Sequence, residues 1–93
     1  MYIVVRTKKF KKALNKINRS GYLKNREDLE RVVYLLKKDQ KLPLKYKDHQ
    51  LKGEFKEYRE CHIKGDLLLI YKIVEDELIL VLINIGSHSS LKL

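Results

Sequence analysis

The sequence predicts one α+β domain spanning residues 1–93, with the order β-α-α-β-β-β and a two-helix hairpin packed against an antiparallel sheet. Apolar residues repeat at helical spacing in residues 10–36, and the pattern changes to strand-like alternation from Phe55 onward. Two apolar runs separated by an acidic turn follow. A chain of 93 residues can bury one hydrophobic core but not two.

The N-terminal half is predicted to form a short strand and then two helices. The run Tyr2-Ile3-Val4-Val5 has the β-branched and aromatic character of a strand. Thr7 is a helix-capping residue type, and the helix after it has an apolar face formed by Phe10, Ala13, Leu14 and Ile17. Gly21 is expected to end this helix. A second helix is expected to start at Asn25, with Asp28 completing a loose capping box, and its apolar face contains Leu29, Val32, Val33 and Leu36.

The C-terminal half is predicted to be a three-stranded meander. Leu42-Pro43 closes the helical part, and residues 44–54 read as a loop. Residues 55–63 alternate between two faces, and Lys64-Gly65-Asp66 is expected to form a tight turn. Residues 67–74 are apolar on both faces, as in a central strand covered on both sides. After the turn Glu75-Asp76-Glu77, residues 78–85 return as a second buried strand.

Positive charge is concentrated at the N-terminus. Residues 1–26 contain nine Lys and Arg residues and no acidic residue, whereas residues 27–93 contain twelve basic and twelve acidic residues. The net charge of +9 therefore resides in the first 26 residues. Such an excess attracts nucleic acid, an anionic membrane or an acidic protein partner.

The composition also limits the compartment and the class of protein. No apolar run approaches the roughly 20 residues that a membrane-spanning helix needs, and the apolar run before Arg6 is too short for a signal peptide. Cys61 has no partner for an internal disulfide, so we expect a reducing cytoplasm. Cys61 also lies on the apolar face of its strand, so we expect it in the core rather than acting as a nucleophile.

Three histidines in the second half of the chain are candidate acid–base groups. His62 and Asp66 flank the predicted hairpin turn, and His88 follows the end of the last strand. Antiparallel order places that end beside Asp66, and His49 on the preceding loop can fold over the same end. Histidine transfers protons near neutral pH because its unperturbed pKa is about 6.5.

A very basic domain with this set of residues suggests metal-independent RNA cleavage. One group would take the proton of a 2′-hydroxyl, another would protonate the leaving 5′-oxygen, and cations would stabilise the phosphorane. Lys52, Arg59 and Lys64 are the candidate cations, although Arg59 should point to the face opposite His62. The histidine spacings lack the close ligand pairs of zinc sites, so we expect no metal or other cofactor.

The segment from Leu42 to Leu91 resembles the YafQ branch of the RelE-like toxins of bacterial type II toxin–antitoxin modules. The resemblance rests on Asp48-His49-Gln50-Leu51-Lys52-Gly53, on Arg59-Glu60-Cys61-His62-Ile63-Lys64-Gly65-Asp66, and on Gly86-Ser87-His88. It implies the RelE-like fold, an mRNA interferase that cleaves mRNA on the ribosome without a metal, and a cognate antitoxin. It also implies that His49, His62, Asp66 and His88 occupy active-site positions. His88 is then the leading candidate for the general acid, and the other three share base, orienting and charge-stabilising roles.

Three positions depart from the family pattern. Leu67 stands where the family often has tryptophan, Asn84 where it usually has arginine, and Lys92 where it usually has an aromatic residue. Loss of the arginine removes a guanidinium that could hold the scissile phosphate, and a lysine cannot reproduce its bidentate geometry.

Three functions therefore remain open. The first is a ribosome-associated endoribonuclease toxin. The second is a catalytically impaired RelE-fold protein that binds antitoxin, RNA or the ribosome. The third is an inhibitory toxin with another target such as gyrase, against which the retained histidines argue. The basic N-terminal helices have two candidate partners, ribosomal RNA and an acidic antitoxin segment.

Overall fold

Two helices lie against one face of a five-stranded sheet in the computed structural model, which describes residues 1–19 and 26–91. The elements follow in chain order as β1 (Ile3–Arg6), α1 (Lys8–Arg19), α2 (Arg26–Lys37), β2 (His49–Gln50), β3 (Arg59–Lys64), β4 (Leu67–Val74), β5 (Ile79–Gly86) and α3 (His88–Leu91). The predicted α+β class is confirmed. No helix of the described ranges is long and apolar enough to cross a membrane.

The strands are ordered β1-β5-β4-β3-β2 in the sheet. As predicted, β3, β4 and β5 form an antiparallel meander. The prediction of a wholly antiparallel sheet was wrong at β1, which pairs in parallel with β5, Ile3 opposite Ile79. Along the sequence, two helices separate β1 from the other strands. Local sequence patterns therefore do not specify which strand β1 pairs with. The predicted loop at 44–54 also contains β2, which pairs antiparallel with β3; two residues are too few to show an alternation.

Thr7 fixes the start of α1. The backbone N–H of Phe10 donates to Thr7 Oγ1 over 3.0 Å, and the Thr7 hydroxyl donates to the carbonyl of Ile83 over 2.7 Å. The predicted helix cap is therefore present, and it also ties α1 to β5. The predicted helix end at Gly21 and the predicted cap at Asn25 lie outside the described residues.

The core lies between the helices and the sheet. Val32 of α2, Cys61 of β3 and Leu80 of β5 are each 0% exposed. Cys61 is thus a core residue, as predicted, and burial raises the pKa of its thiol. Along β4, Leu68 and Leu69 are both 0% exposed although they point to opposite faces, which confirms a central strand covered on both sides.

Candidate active site

The three histidines meet at one end of the sheet. His49 lies on β2, His62 on β3, and His88 opens α3 directly after β5. The ring centroids of His49 and His62 are 6.5 Å apart, and those of His62 and His88 are 5.8 Å apart. Residues from three segments that are separated in sequence therefore form one cluster.

Asp66 lies beside His88, where the hairpin geometry predicted it. His88 Nδ1 is 3.2 Å from Asp66 Oδ1, and each side chain is 56% exposed. The tight turn before Asp66 depends on Gly65, whose φ of 56° lies in the left-handed region that favours glycine. A carboxylate at Nδ1 orients the imidazole ring and leaves Nε2 as the ring nitrogen that can exchange a proton with a ligand.

Glu60 is a member of this cluster that sequence reasoning did not select. It is 4% exposed, and its Oε1 lies 3.5 Å from His49 Nε2 and 3.9 Å from His62 Nε2. The sequence contained a signal for this position, because Glu60 and His62 are two residues apart in a strand and share one face. A nearly buried carboxylate between two imidazoles stabilises a positive charge that arises on either ring.

His62 has the environment of a proton acceptor. Burial is the main cause that lowers its pKa below the usual 6.5, and the charges of Lys47, His88 and His49 lower it further. Glu60 opposes this shift, because its negative charge favours the protonated ring. The surroundings of His62 therefore favour its neutral ring, and the Glu60 carboxylate partly offsets this effect.

A second polar network holds the β2 segment in place. Arg59 Nη2 donates to Asp48 Oδ2 over 2.9 Å, and Arg59 Nε donates to the Tyr71 hydroxyl over 3.3 Å. The Tyr71 hydroxyl in turn donates to Asp48 Oδ1. The hydrogen bond that Arg59 donates to Asp48 raises the pKa of Arg59, and burial raises the pKa of Tyr71. Because Asp48 directly precedes His49, this network fixes the histidine against β3.

Arg59, which the sequence analysis named as a candidate RNA-binding cation, contacts Asp48. Its guanidinium is engaged on the helix side of the sheet, as strand parity had indicated, and not beside His62. Lys52 and Lys64 are exposed, and Lys64 ends β3 at the turn that carries Asp66. Those two lysines keep a position from which they can meet a polyanion.

Tyr58 and the three departures from the family pattern have different surroundings. The Tyr58 ring is half-buried, with its centroid 6.5 Å from that of Phe55. Leu67 is 3% exposed and belongs to the core. Asn84 Oδ1 accepts a hydrogen bond from the N–H of Ile85 over 2.9 Å. Lys92 lies outside the described residues.

Part of the cluster also fits a metal ion. Within the described ranges, Glu60, His62 and His88 each offer one ligand atom, and these atoms all lie within 4.8 Å of one another. Two imidazole nitrogens and a carboxylate are a donor set that suits zinc or copper. The expectation that spacing excludes a metal site was therefore too strict, because the sheet brings together residues that are distant in sequence.

The fold and the histidine cluster define a class of small bacterial toxin. The sequence model described as "Bacterial toxin of type II toxin-antitoxin system, YafQ" matches residues 2–93. The chain belongs to the YafQ family of type II toxin–antitoxin toxins.

Two relatives support this assignment. A YafQ toxin of Haemophilus influenzae is 53% identical over 55 residues, a match that covers 55% of this chain and 54% of that protein. The mRNA interferase toxin YafQ of Escherichia coli K12 is 35% identical over 72 residues, which are 73% of this chain and 76% of that protein. The first match thus spans about half the length of the relative, and the second about three quarters.

Solved structures show the same architecture. A metal-bound toxin from Helicobacter pylori superposes with a TM-score of 0.89 at 45% identity, covering 98% of this chain and 99% of that one. The E. coli DinJ–YafQ complex gives a TM-score of 0.83 at 28% identity, with 98% of both chains covered. The RelE-like fold expected from the sequence is confirmed.

Proposed function

We propose that this protein is an mRNA interferase, a ribosome-associated endoribonuclease that cleaves RNA by metal-independent acid–base chemistry. The observation that carries the proposal is the convergence of three histidines and two carboxylates at one end of the sheet. The E. coli relatives that are named mRNA interferase toxins support the choice of substrate.

The geometry suggests different roles for the residues of the cluster. His62 takes the proton of the 2′-hydroxyl, and Glu60 stabilises the imidazolium that results. The 2′-oxygen attacks the phosphorus and the bond to the 5′-oxygen breaks, which leaves a 2′,3′-cyclic phosphate and a new 5′-hydroxyl. His88 donates the proton to that 5′-oxygen from Nε2, while Asp66 accepts a hydrogen bond from its Nδ1–H.

His49 and the exposed lysines support the transferred phosphate. His49 lies across Glu60 from His62, so in its protonated form it places a positive charge beside the phosphorane. Lys52 and Lys64 are proposed to hold the flanking RNA backbone. The departures at Asn84 and Lys92 make a weaker nuclease the alternative, a RelE-fold protein that binds its partners but cleaves poorly.

Cleavage of ribosome-bound mRNA tests the assignment of the acid and the base. We expect His88→Gln and His62→Gln to reduce the cleavage rate by roughly 10²–10⁴-fold each, the usual contribution of a positioned acid or base. Gln40→Ala, an exposed change before β2, is the control and should cleave like the wild type. Wild-type rates in both histidine variants would refute the assignment. Binding without cleavage by the wild type would favour the impaired alternative.

Antitoxin and ribosome binding are the proposed interactions of the basic surface. The complex of the E. coli relative with DinJ supports an antitoxin partner. In α1, lysines and arginines occur with no acidic residue, so this helix attracts either ribosomal RNA or an acidic antitoxin segment. Ribosomal RNA binding predicts co-sedimentation that weakens steeply between 50 and 200 mM salt, on the order of 10³-fold for several phosphate contacts. We place these interactions in the cytoplasm, where ribosomes and antitoxin are present.

A second proposed activity is metal binding by Glu60, His62 and His88, which the distances among their ligand atoms and the metal-bound H. pylori relative favour. A nitrogen that coordinates a metal cannot carry or accept a proton, so the ion and RNA cleavage would exclude each other. Isothermal titration with ZnCl₂ or CuCl₂ should show one site that His62→Gln abolishes and Lys52→Ala retains. Equal binding by both variants would show that the ion binds elsewhere.

A further inference from the structure

A cleft of about 550 Å³ lies directly beside the histidine cluster, between α1 and the end of the sheet. Its floor is apolar, formed by Ala13, Ile17, Leu67, Ile85 and Leu91. Polar residues also line the cleft, among them Lys16, Asp66, Asn84, Ser87 and Ser90. The volume is within the roughly 300–1,000 Å³ range of ligand sites, and an apolar floor with a few polar groups is their usual composition.

Asp66 connects this cleft to the catalytic cluster. Its carboxylate contacts His88 Nδ1 at 3.2 Å, and the same residue lines the cleft. A nucleotide bound in the cleft would therefore lie next to His88.

A close contact between β5 and α3 holds the side of the cleft that these two elements form. A Cβ built on Gly86 would lie 2.4 Å from Ser90 Oγ, so a side chain at position 86 would require Ser90 Oγ or α3 to move. Ser90 Oγ also accepts from the N–H of Ser87 over 2.9 Å, while the N–H of Ser90 donates to Ser87 Oγ over 3.1 Å. These reciprocal bonds fix the serine side of the cleft next to His88.

The charges around the cleft indicate where a phosphate would bind. Among the described residues that line it, Lys16 is the cation, and its side chain is exposed on α1. Asn84, on the opposite wall, uses its carbonyl oxygen to accept from Ile85 N–H, so its amide N–H groups are what it can offer to a ligand. A cation on one wall and amide donors on the other suit an anionic group above an apolar floor.

We propose that this cleft binds the RNA nucleotide next to the scissile phosphate, with its base against the apolar floor and its phosphate at Lys16. The proposal rests on the proposed endoribonuclease function and adds a substrate subsite to it. Asn84 on β5 stands where the family usually has an arginine. Lys16 on α1 then supplies part of the positive charge that this arginine would have provided. The apolar side chains of the floor offer a flat base a surface to pack against, and Lys16 offers the attached phosphate a positive charge.

Two matched lysine variants test the subsite. Lys16→Ala and Lys41→Ala each remove one exposed lysine charge, but Lys41 lies outside α1 and does not line the cleft. We expect Lys16→Ala to raise the KM for RNA roughly five- to tenfold with little change in kcat, the effect of one lost charged contact. The salt dependence of its RNA binding should also fall by about one phosphate contact. Equal KM values and salt slopes for the two variants would overturn the proposal.

Binding of free nucleotides separates this proposal from the cleavage mechanism. Titration of ¹⁵N-labelled protein with adenosine and uridine 5′-monophosphates should shift the amide signals of residues 13–17 and 84–87, and Lys16→Ala should weaken the binding. This outcome does not depend on whether the protein cuts RNA, so it can hold even if His88→Gln cleaves like the wild type. Shifts confined to residues outside the cleft, or none at millimolar nucleotide, would overturn the subsite while leaving the catalytic assignment untouched.

Discussion

Removing the Tyr71 hydroxyl should loosen the segment that carries His49. In the folded protein this hydroxyl donates to Asp48 Oδ1 and accepts from Arg59 Nε at 3.3 Å, and the side chain is 1% exposed. The change Tyr71→Phe removes both contacts without adding volume, and it leaves the 2.9 Å pair between Arg59 and Asp48 intact. The Asp48 carboxylate keeps Arg59 as a partner, so the loss of stability reports on the hydroxyl and not on a buried charge left without a partner.

The expected loss follows from the number and type of bonds. A hydrogen bond to a charged group contributes about 1.5–3 kcal/mol to stability, and we expect the free energy of unfolding to fall by about 2 kcal/mol. For a domain of this size that corresponds to a decrease in Tm of about 8–16 °C. Because β2 consists of two residues, cleavage should also slow at temperatures where the variant is folded.

Tyr46 provides the matched control. It is also 1% exposed, but its hydroxyl lies 3.4 Å from Asp28 Oδ1, beyond the usual 2.5–3.0 Å of a strong O–H···O bond. Tyr46→Phe should therefore cost about 0.5 kcal/mol and leave cleavage unchanged. Urea unfolding followed by circular dichroism measures both variants. Equal stability losses in the two variants, or no loss in Tyr71→Phe, would refute the anchoring role of the network.

Three further predictions concern the site and the core. The His62 ring should titrate below pH 6.5 in NMR spectra, and Glu60→Gln should lower its pKa further because it removes the charge that opposes the shift; a rise on this substitution would contradict the assignment. Because the pKa of His62 is lower in the folded wild-type protein than in the unfolded chain, the folded state binds fewer protons near this pH. The contribution of His62 to stability should therefore decrease as pH falls through about 6.5. Gly86→Ala should slow cleavage roughly 10²-fold by displacing α3, and adding Ser90→Ala should restore part of the rate; no rescue would show that Ser90 Oγ is not the obstacle. Leu80→Ala, at a position with 0% exposure, should reduce the free energy of unfolding by roughly 2–5 kcal/mol in urea melts, and a loss below 1 kcal/mol would place Leu80 outside the core.

The hairpin of the C-terminal half could be predicted from local patterns. The turn at Gly65 and the apolar runs after it set the register that places Asp66 beside His88. The cap at Thr7 and the buried thiol of Cys61 also follow from short-range signals. Each of these features depends on residues that are close in sequence, or on the alternation of side chains between the two faces of one strand.

Other parts of the site depend on contacts that the sequence does not encode locally. The parallel pairing of β1 with β5 is decided by how the helical hairpin packs, and β2 is too short for any periodic signal. Glu60 shares a face with His62, but an acidic residue in a strand is ordinarily solvent-exposed, so its burial was not predicted. The partner of Arg59 is Asp48, which lies in a predicted loop. Only the folded chain shows that this arginine positions His49.

The central claim is that this histidine cluster cleaves RNA through the 2′-hydroxyl. The most direct measurement is mass spectrometry of the products from a ribosome-bound mRNA, compared with the same mRNA carrying one 2′-deoxynucleotide at the cut site. The mechanism predicts a 2′,3′-cyclic phosphate and a 5′-hydroxyl from the first mRNA, and no cut at that position in the second. A 3′-hydroxyl with a 5′-phosphate, or cleavage that survives the 2′-deoxy substitution, would contradict it.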